Sequence, residues 1–281
     1  MSSIVTQHGI LHYEAIGRGQ PIILLHGWIN SWDVWRDCMI ALAGSRDYRV
    51  YALDFWGFGD SAKGNGNAAL SFRMDSYVEM VRQFMDRLGI MESPLMGHSM
   101  GGTVALQFAL SYPERTQKVA VVGSPIVGST LNLFLKIAGR NSLAGLVGRY
   151  PQVFGPVSEQ VTKLIMHIIL AGDSAEVRKM IFRDWQRTTH ESFFLSIADL
   201  RQTDLRNALP ALKIPALGIY GVKDNIVSPD NAKLFTHTIH RAEVAMMPHS
   251  RHFPMTDEPE SFLNTLETFL CRHNSALIGR G

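Results

Sequence analysis

Gly97-His98-Ser99-Met100-Gly101 carries the strongest chemical signal in the chain. A serine hydroxyl is a weak nucleophile until a base takes its proton and a tight turn presents it. The flanking glycines permit such a turn without a Cβ clash. The motif also sits between an apolar run and a helix-length stretch with Val104 and Phe108 four residues apart. A helix starting at Met100 would aim its free N–H groups and positive dipole end at charge developing beside Ser99. The chemistry implied is acyl transfer through a covalent serine intermediate. Alone, the pattern would also arise as a small-residue turn, so its weight rests on its surroundings.

An oxyanion needs two donors. The backbone N–H of Met100 is one candidate. The other is the backbone N–H of Trp28 in the loop His26-Gly27-Trp28, where Gly27 lets the chain approach closely. His26 itself reads as a buried hydrogen-bonding brace for that loop. The base must be one of eleven histidines. His252 lies just past the last apolar strand, in Pro248-His249-Ser250-Arg251-His252-Phe253-Pro254, and His249 is its rival. Asp224, directly after the run Ile214–Tyr220, would orient the imidazole and stabilise its charged form. A plain turn aspartate is the alternative. His237/His240 and His249/His252 are H-x-x-H pairs that raise zinc, but no cysteine or H-E-x-x-H pattern lies nearby, so no metal is expected. No Walker A sequence and no complete dinucleotide fingerprint is present, and no cofactor is expected.

These residues need elements to hold them. Ile10–Ile16 reads as a strand paired in a hairpin with Ile4–Thr6, and Pro21–His26 reads as a strand buried on both faces. Arg49–Asp54, Pro94–Met96, Lys118–Val122, Ile214–Tyr220 and Glu243–Met247 continue the set. Helices are expected over Asp33–Ala43, Tyr77–Leu88, Met100–Ser111 and from Pro259 onward. Ser76 and Glu79 resemble a capping box, and Gly89 is placed to end that helix. Strands alternating with helices imply a mostly parallel α/β sheet covered on both faces.

The alternation breaks after the fourth parallel strand. Residues 127–208 hold helical stretches such as Val161–Ile169 and no convincing strand. This reads as a helical lid inserted into a core made of residues 1–126 and 209–281, lying over the carboxyl edge where α/β sheets bind ligands. Bulk properties narrow the rest. The formal charge is +2 with no basic block, which excludes an electrostatic footprint for nucleic acid. Cys38 and Cys271 read as reduced thiols. The first residues lack a basic stretch followed by an apolar one, and the most apolar run, Leu164–Gly172, is too short to span a bilayer. A cytoplasmic protein is expected.

Taken together, His26-Gly27, the segment Asp54-Phe-Trp-Gly57-Phe-Gly59-Asp-Ser61, Gly97–Gly102, Asp224 and His252-Phe-Pro-Met resemble the α/β-hydrolase family, in its order Ser…Asp…His. The resemblance covers nearly the whole chain. It implies a triad of Ser99, Asp224 and His252 and an oxyanion hole at Trp28 and Met100. Branches that carry aspartate at the nucleophile position, such as haloalkane dehalogenases and epoxide hydrolases, are set aside by Ser99. Serine esterases and lipases fit. So do carbon–carbon bond hydrolases and cofactor-free perhydrolases, while a ligand receptor with little turnover is the alternative of another class. Two departures stand out: Arg251, where many relatives have glycine before the histidine, and Trp56, where a polar or basic residue is common. The expected substrate is a small apolar ester contacted by Trp28, Phe134, Phe154 and Ile168. The lid's apolar surface could also dock on a membrane, and the oligomeric state is left open.

Overall fold

Ile22, Ile23, Leu24 and Leu25 are each at most 1% exposed, and they alternate between two separate apolar clusters. A strand so placed belongs in the middle of a sheet covered on both faces. In the computed structural model, residues 2–44, 47–63, 70–138, 160, 167, 170 and 172–272 are described. The strands are β1 (Ser2–Val5), β2 (Ile10–Gly17), β3 (Gln20–Leu25), β4 (Tyr48–Leu53), β5 (Ser93–His98), β6 (Thr116–Val122), β7 (Ala216–Gly221) and β8 (Ala242–Met247). Their order in space is β1-β2-β4-β3-β5-β6-β7-β8. The β1–β2 hairpin and the β2–β4 pair are antiparallel, and every other pair is parallel. From β3 the chain steps to β4 on one side, then crosses back to β5 on the other. The crevice between the carboxyl ends of β3 and β5 is therefore the switch point at which such sheets bind ligands.

Helices α1 (Arg36–Gly44), α2 (Met74–Leu88) and α3 (Met100–Ser111) flank the first strands. α2 and α3 pack on the face reached by Ile23 and Leu25, with Tyr77, Val81, Phe84 and Met85 forming the buried stripe of α2. Burying each such side chain contributes roughly 1.5–3 kcal/mol. Gly89 ends α2 in the left-handed conformation at φ 66°, as its position implies. The start of α2 differs from expectation. It begins three residues before Tyr77, and no capping box forms: the Met74 N–H donates to the Asp199 carboxylate at 2.8 Å, while Glu79 pairs with Arg82.

Between β6 and β7 the described helices are α4 (Leu133–Ala138), α5 (Ala175–Trp185) and α6 (His190–Gln202). Ser174 and Thr189 cap α5 and α6 by accepting from the Val177 and Ser192 N–H groups. The expected Val161–Ile169 helix lies outside the described residues. The segment enters and leaves the sheet side by side. Gly128 N–H donates to the Thr203 carbonyl at 2.8 Å, Leu205 N–H donates to Ile126 at 3.0 Å, and Val127 and Asp204 form an isolated antiparallel bridge. Polar contacts fasten α5 and α6 to the sheet's loops: Ser31 Oγ donates to the fully buried Asp184 at 2.9 Å, and Ser192 Oγ donates to the Gly57 carbonyl at 2.9 Å.

After β7 come α7 (Asn231–Thr238), the one-turn α8 (Pro254–Asp257) and α9 (Pro259–Arg272). α9 packs beside α1 on the face reached by Ile22 and Leu24. Cys38 is buried and Cys271 exposed, and neither is in a disulfide. No described helix is long and apolar enough to cross a membrane.

Candidate active site

β5 runs straight into Ser99, which sits at φ 51° and ψ −118° before α3 begins at Met100. An L residue rarely takes this conformation, and holding it costs about 1–3 kcal/mol. The glycines around it serve a purpose other than φ freedom. A Cβ on Gly97 would lie 2.2 Å from the Gly101 backbone, and one on Gly101 would lie 2.4 Å from the Leu25 carbonyl oxygen. The turn is thus close-packed against β3, and its sharpness is carried by Ser99 itself. Ser99 is 6% exposed and its N–H donates to the Val122 carbonyl at 2.8 Å.

The second strained residue is Ile29, at φ 64°. Among the described residues, Ile29 and Ser99 are the two non-glycine positions with positive φ. One lies in the loop after β3 and the other in the turn after β5, so the strain is concentrated on the two sides of the switch-point crevice. The N–H of Met100, at the first position of α3, has no helical carbonyl to reach. Trp28, the other expected donor, stands one residue before Ile29. Its indole N–H donates to the Phe193 carbonyl at 2.9 Å and its ring lies 4.2 Å from that of Phe193, which ties the loop to α6.

His252 lies in the loop after β8. Its Nδ1–H donates to Asp224 Oδ2 at 2.7 Å, which leaves Nε2 as the basic nitrogen. Asp224 is held in turn by the N–H groups of Ile226 and Val227, which donate to Oδ1 at 2.8 and 2.9 Å. Both side chains are almost fully buried. His249, the rival histidine, is exposed on its loop, and its N–H donates to Glu258. His237 is exposed on α7 and turns its Nδ1 to its own helix, at the Lys233 carbonyl.

Behind these residues lies a polar frame. His98 Nε2–H donates to the His252 carbonyl at 2.9 Å, and burial holds the His98 pKa well below its usual 6.5. The His26 Nδ1–H donates to the Gly27 carbonyl at 2.7 Å while Nε2 accepts from Phe55 N–H at 2.9 Å, so His26 is the expected brace, kept neutral by burial. Asp54 is fully buried. Burial alone would raise its pKa, but donors from His12, Asp60 and Trp32 hold it below the ordinary value. His12, Asp54 and Asp60 stand close enough together to suit a metal ion, yet both Asp54 oxygens are already taken by those donors.

Ser99 and His252 line one cavity of about 40 Å³ together with Trp28, Ile29, Asn30, His98, Leu131, Leu135, Leu170, Ile181, Ile197, Leu200, Ile226 and Phe253. Of the expected contact residues, Trp28 is on this wall. Phe134 is not: it is 37% exposed on α4, while its neighbour Leu135 faces inward. Phe154 and Ile168 lie outside the described residues. Sequence reasoning passed over Ile29, Asn30, Ile197, Leu200 and Phe253. Ile197 and Leu200 stand three apart on α6, and that one-sided spacing was the available signal. The arrangement can activate a hydroxyl and collect N–H groups beside it, within an apolar chamber.

Residues 20–259 match the sequence profile described as the alpha/beta hydrolase fold. A pimeloyl-[acyl-carrier protein] methyl ester esterase from Nitrosomonas europaea is 28% identical, over 92% of this chain and 98% of that relative. A protein of the same name from Aeromonas hydrophila is 26% identical, over 92% and 98%. Among solved structures, a hydrolase from Pseudomonas aeruginosa superposes with a TM-score of 0.80 at 21% identity, over 96% of this chain and 98% of that one, a likeness of fold. The chain belongs to the α/β-hydrolase fold family.

Proposed function

We propose that the protein is a serine hydrolase that cleaves a carboxylic ester of a small apolar acid through an acyl-enzyme on Ser99. The observation that carries this reading is the convergence of a strained serine and the His252–Asp224 pair on one apolar cavity. His252 Nε2 takes the Ser99 proton as Oγ attacks the ester carbonyl carbon. The N–H groups of Trp28 and Met100 receive the negative charge that moves onto the carbonyl oxygen. The alcohol leaves with the proton from His252. Water, deprotonated by the same nitrogen, then releases the acid and restores Ser99.

Ester hydrolysis draws support from the relatives named for it. An apolar acid is favoured because, among the described residues and apart from Asn30, Ser99 and the two histidines, the wall is formed by apolar side chains. The cavity volume of about 40 Å³ is small, which favours a short acyl group. The 127–208 insertion acts as a lid, since α5 and α6 supply Ile181, Ile197 and Leu200 to that wall. The test is hydrolysis of p-nitrophenyl esters from acetate to octanoate by wild type and Ser99→Ala. Turnover highest on the short esters and abolished in the variant is expected. A folded wild type with no ester turnover would refute the esterase reading and turn attention to carbon–carbon bond cleavage.

A further inference from the structure

Arg251 directly precedes His252 in the loop after β8, and the structure gives its side chain a task. The guanidinium lies over Gly172, so closely that a Cβ there would come within 1.9 Å of Nη1. Its Nε is 3.3 Å from Oδ1 of Asp173, whose side chain is fully buried. The contact is an ion pair without hydrogen-bond geometry, and among the described residues neither Asp173 oxygen nor Arg251 Nε has a hydrogen-bond partner. The Arg251 backbone is fixed as well. Its N–H donates to Asp257 at 2.8 Å, and its carbonyl is packed so tightly on Gly221 that a Cβ there would lie 2.0 Å away.

Asp173 does not line the cavity but is bonded to residues that adjoin its wall. Its N–H donates to the carbonyl of Leu170, which lines the cavity, and its own carbonyl accepts from Arg178 on α5 at 2.5 Å. Three residues further along α5, about one turn, stands Ile181, which is on the wall. One ion pair therefore joins the residue next to His252 to the segment bearing Leu170 and Ile181. Removing either partner leaves a buried or half-buried charge without its counterpart, which is the arrangement that most strongly penalises separation.

We propose that Arg251 is a specificity-setting positioning residue, which by clasping Gly172 and Asp173 fixes the Leu170–Ile181 wall to the loop that carries His252. This rests on the reading of that cavity as the acyl site of an esterase. A glycine at position 251 has no side chain to make the clasp, so the wall would stand off and admit longer acids.

The experiment compares Arg251→Gly, Arg251→Lys, Asp173→Asn and the double variant Arg251→Gly/Asp173→Asn. Each is assayed on the same p-nitrophenyl ester series, with hydrogen exchange followed over residues 172–185. For Arg251→Gly, KM on the short esters should rise about fivefold or more and exceed the fall in kcat, with the preferred chain length moving upward. Exchange near Asp173 should quicken by about tenfold. Arg251→Lys should recover part of the profile, and the double variant should be no worse than the more severe single one. An unchanged chain-length profile with unchanged exchange in Arg251→Gly and Asp173→Asn would overturn the proposal. So would a uniform fall in kcat at every chain length, which would mean that Arg251 supports only His252. Absence of ester turnover in wild type would refute the esterase reading instead, and the exchange comparison would still decide whether the clasp exists.

Discussion

Replacing Asp224 by asparagine tests the proposed chemistry at one atom. The aspartate accepts at both ends: Oδ2 from His252 Nδ1–H, and Oδ1 from the N–H groups of Ile226 and Val227. Asparagine has one oxygen and one NH₂ to divide between those partners. With its oxygen on the two backbone donors, its NH₂ faces His252 Nδ1 and forces the proton onto Nε2, where it blocks proton transfer from Ser99. The flipped amide restores the working tautomer but sets NH₂ against two N–H groups. Losing those two bonds costs about 1–3 kcal/mol each, or roughly 2–6 kcal/mol in all. At the lower bound the working form is about one molecule in thirty, because 1.4 kcal/mol is about tenfold. Asp224→Asn should therefore lose at least about 30-fold in kcat, and up to about 10⁴-fold, the loss associated with a wrong histidine tautomer in serine hydrolases. The assay is steady-state hydrolysis of p-nitrophenyl butyrate at pH 7.5, with folding checked by circular dichroism. A folded variant within threefold of wild-type kcat would refute the role assigned to the Asp224–His252 bond.

Two further outcomes follow from the frame of the site. Ser99→Gly should abolish ester turnover yet raise stability by about 1 kcal/mol in urea unfolding, because glycine accepts φ 51° without strain; lower stability than wild type would contradict that account. His98 is buried and its folded pKa lies below 6.5, so as pH falls below 6.5 the unfolded chain takes up a proton that the native state refuses, and stability drops. His98→Gln keeps an amide donor for the His252 carbonyl and should reduce that pH slope by up to about 1.4 kcal/mol per pH unit between pH 6.5 and 5, measured by denaturant unfolding at each pH. An unchanged slope would show that His98 does not stay neutral.

What could be read in advance was local in sequence. The burial of Ile22–Leu25 on both faces of the sheet, the apolar stripe of α2 and the order Ser99, Asp224, His252 follow from apolar runs, spacing and turns next to strands. The Asp224–His252 pair joins residues 28 apart, but each stands just beyond a legible strand. The readings that missed depended on distant partners. The start of α2 is set by Asp199, 125 residues away, which no cap rule applied at Ser76 could supply. For Phe134 the sequence offers no guide to the face, because α4, Leu-Phe-Leu-Lys-Ile-Ala, is apolar at nearly every position and has no stripe. Packing against α6 selects Leu135 and leaves Leu133, Phe134 and Ile137 outside. The Arg251–Asp173 pair leaves no local pattern, since its meaning lies in a carboxylate 78 positions earlier in the chain.

The side-by-side passage of the chain at Val127 and Asp204 has a consequence for how such a molecule can change over generations. The two strands of that passage stand about 5 Å apart, the ordinary spacing of paired strands. A span joined at so narrow a base can grow or shrink at little entropic expense, about 0.6 kcal/mol for each doubling of its length. The eight-stranded frame does not sense how many residues are spliced there, so long as the two ends still meet. The frame holds Ser99, Asp224 and His252, the splice supplies part of the cavity wall through Leu170, Ile181, Ile197 and Leu200, and substitutions in the two can accumulate separately.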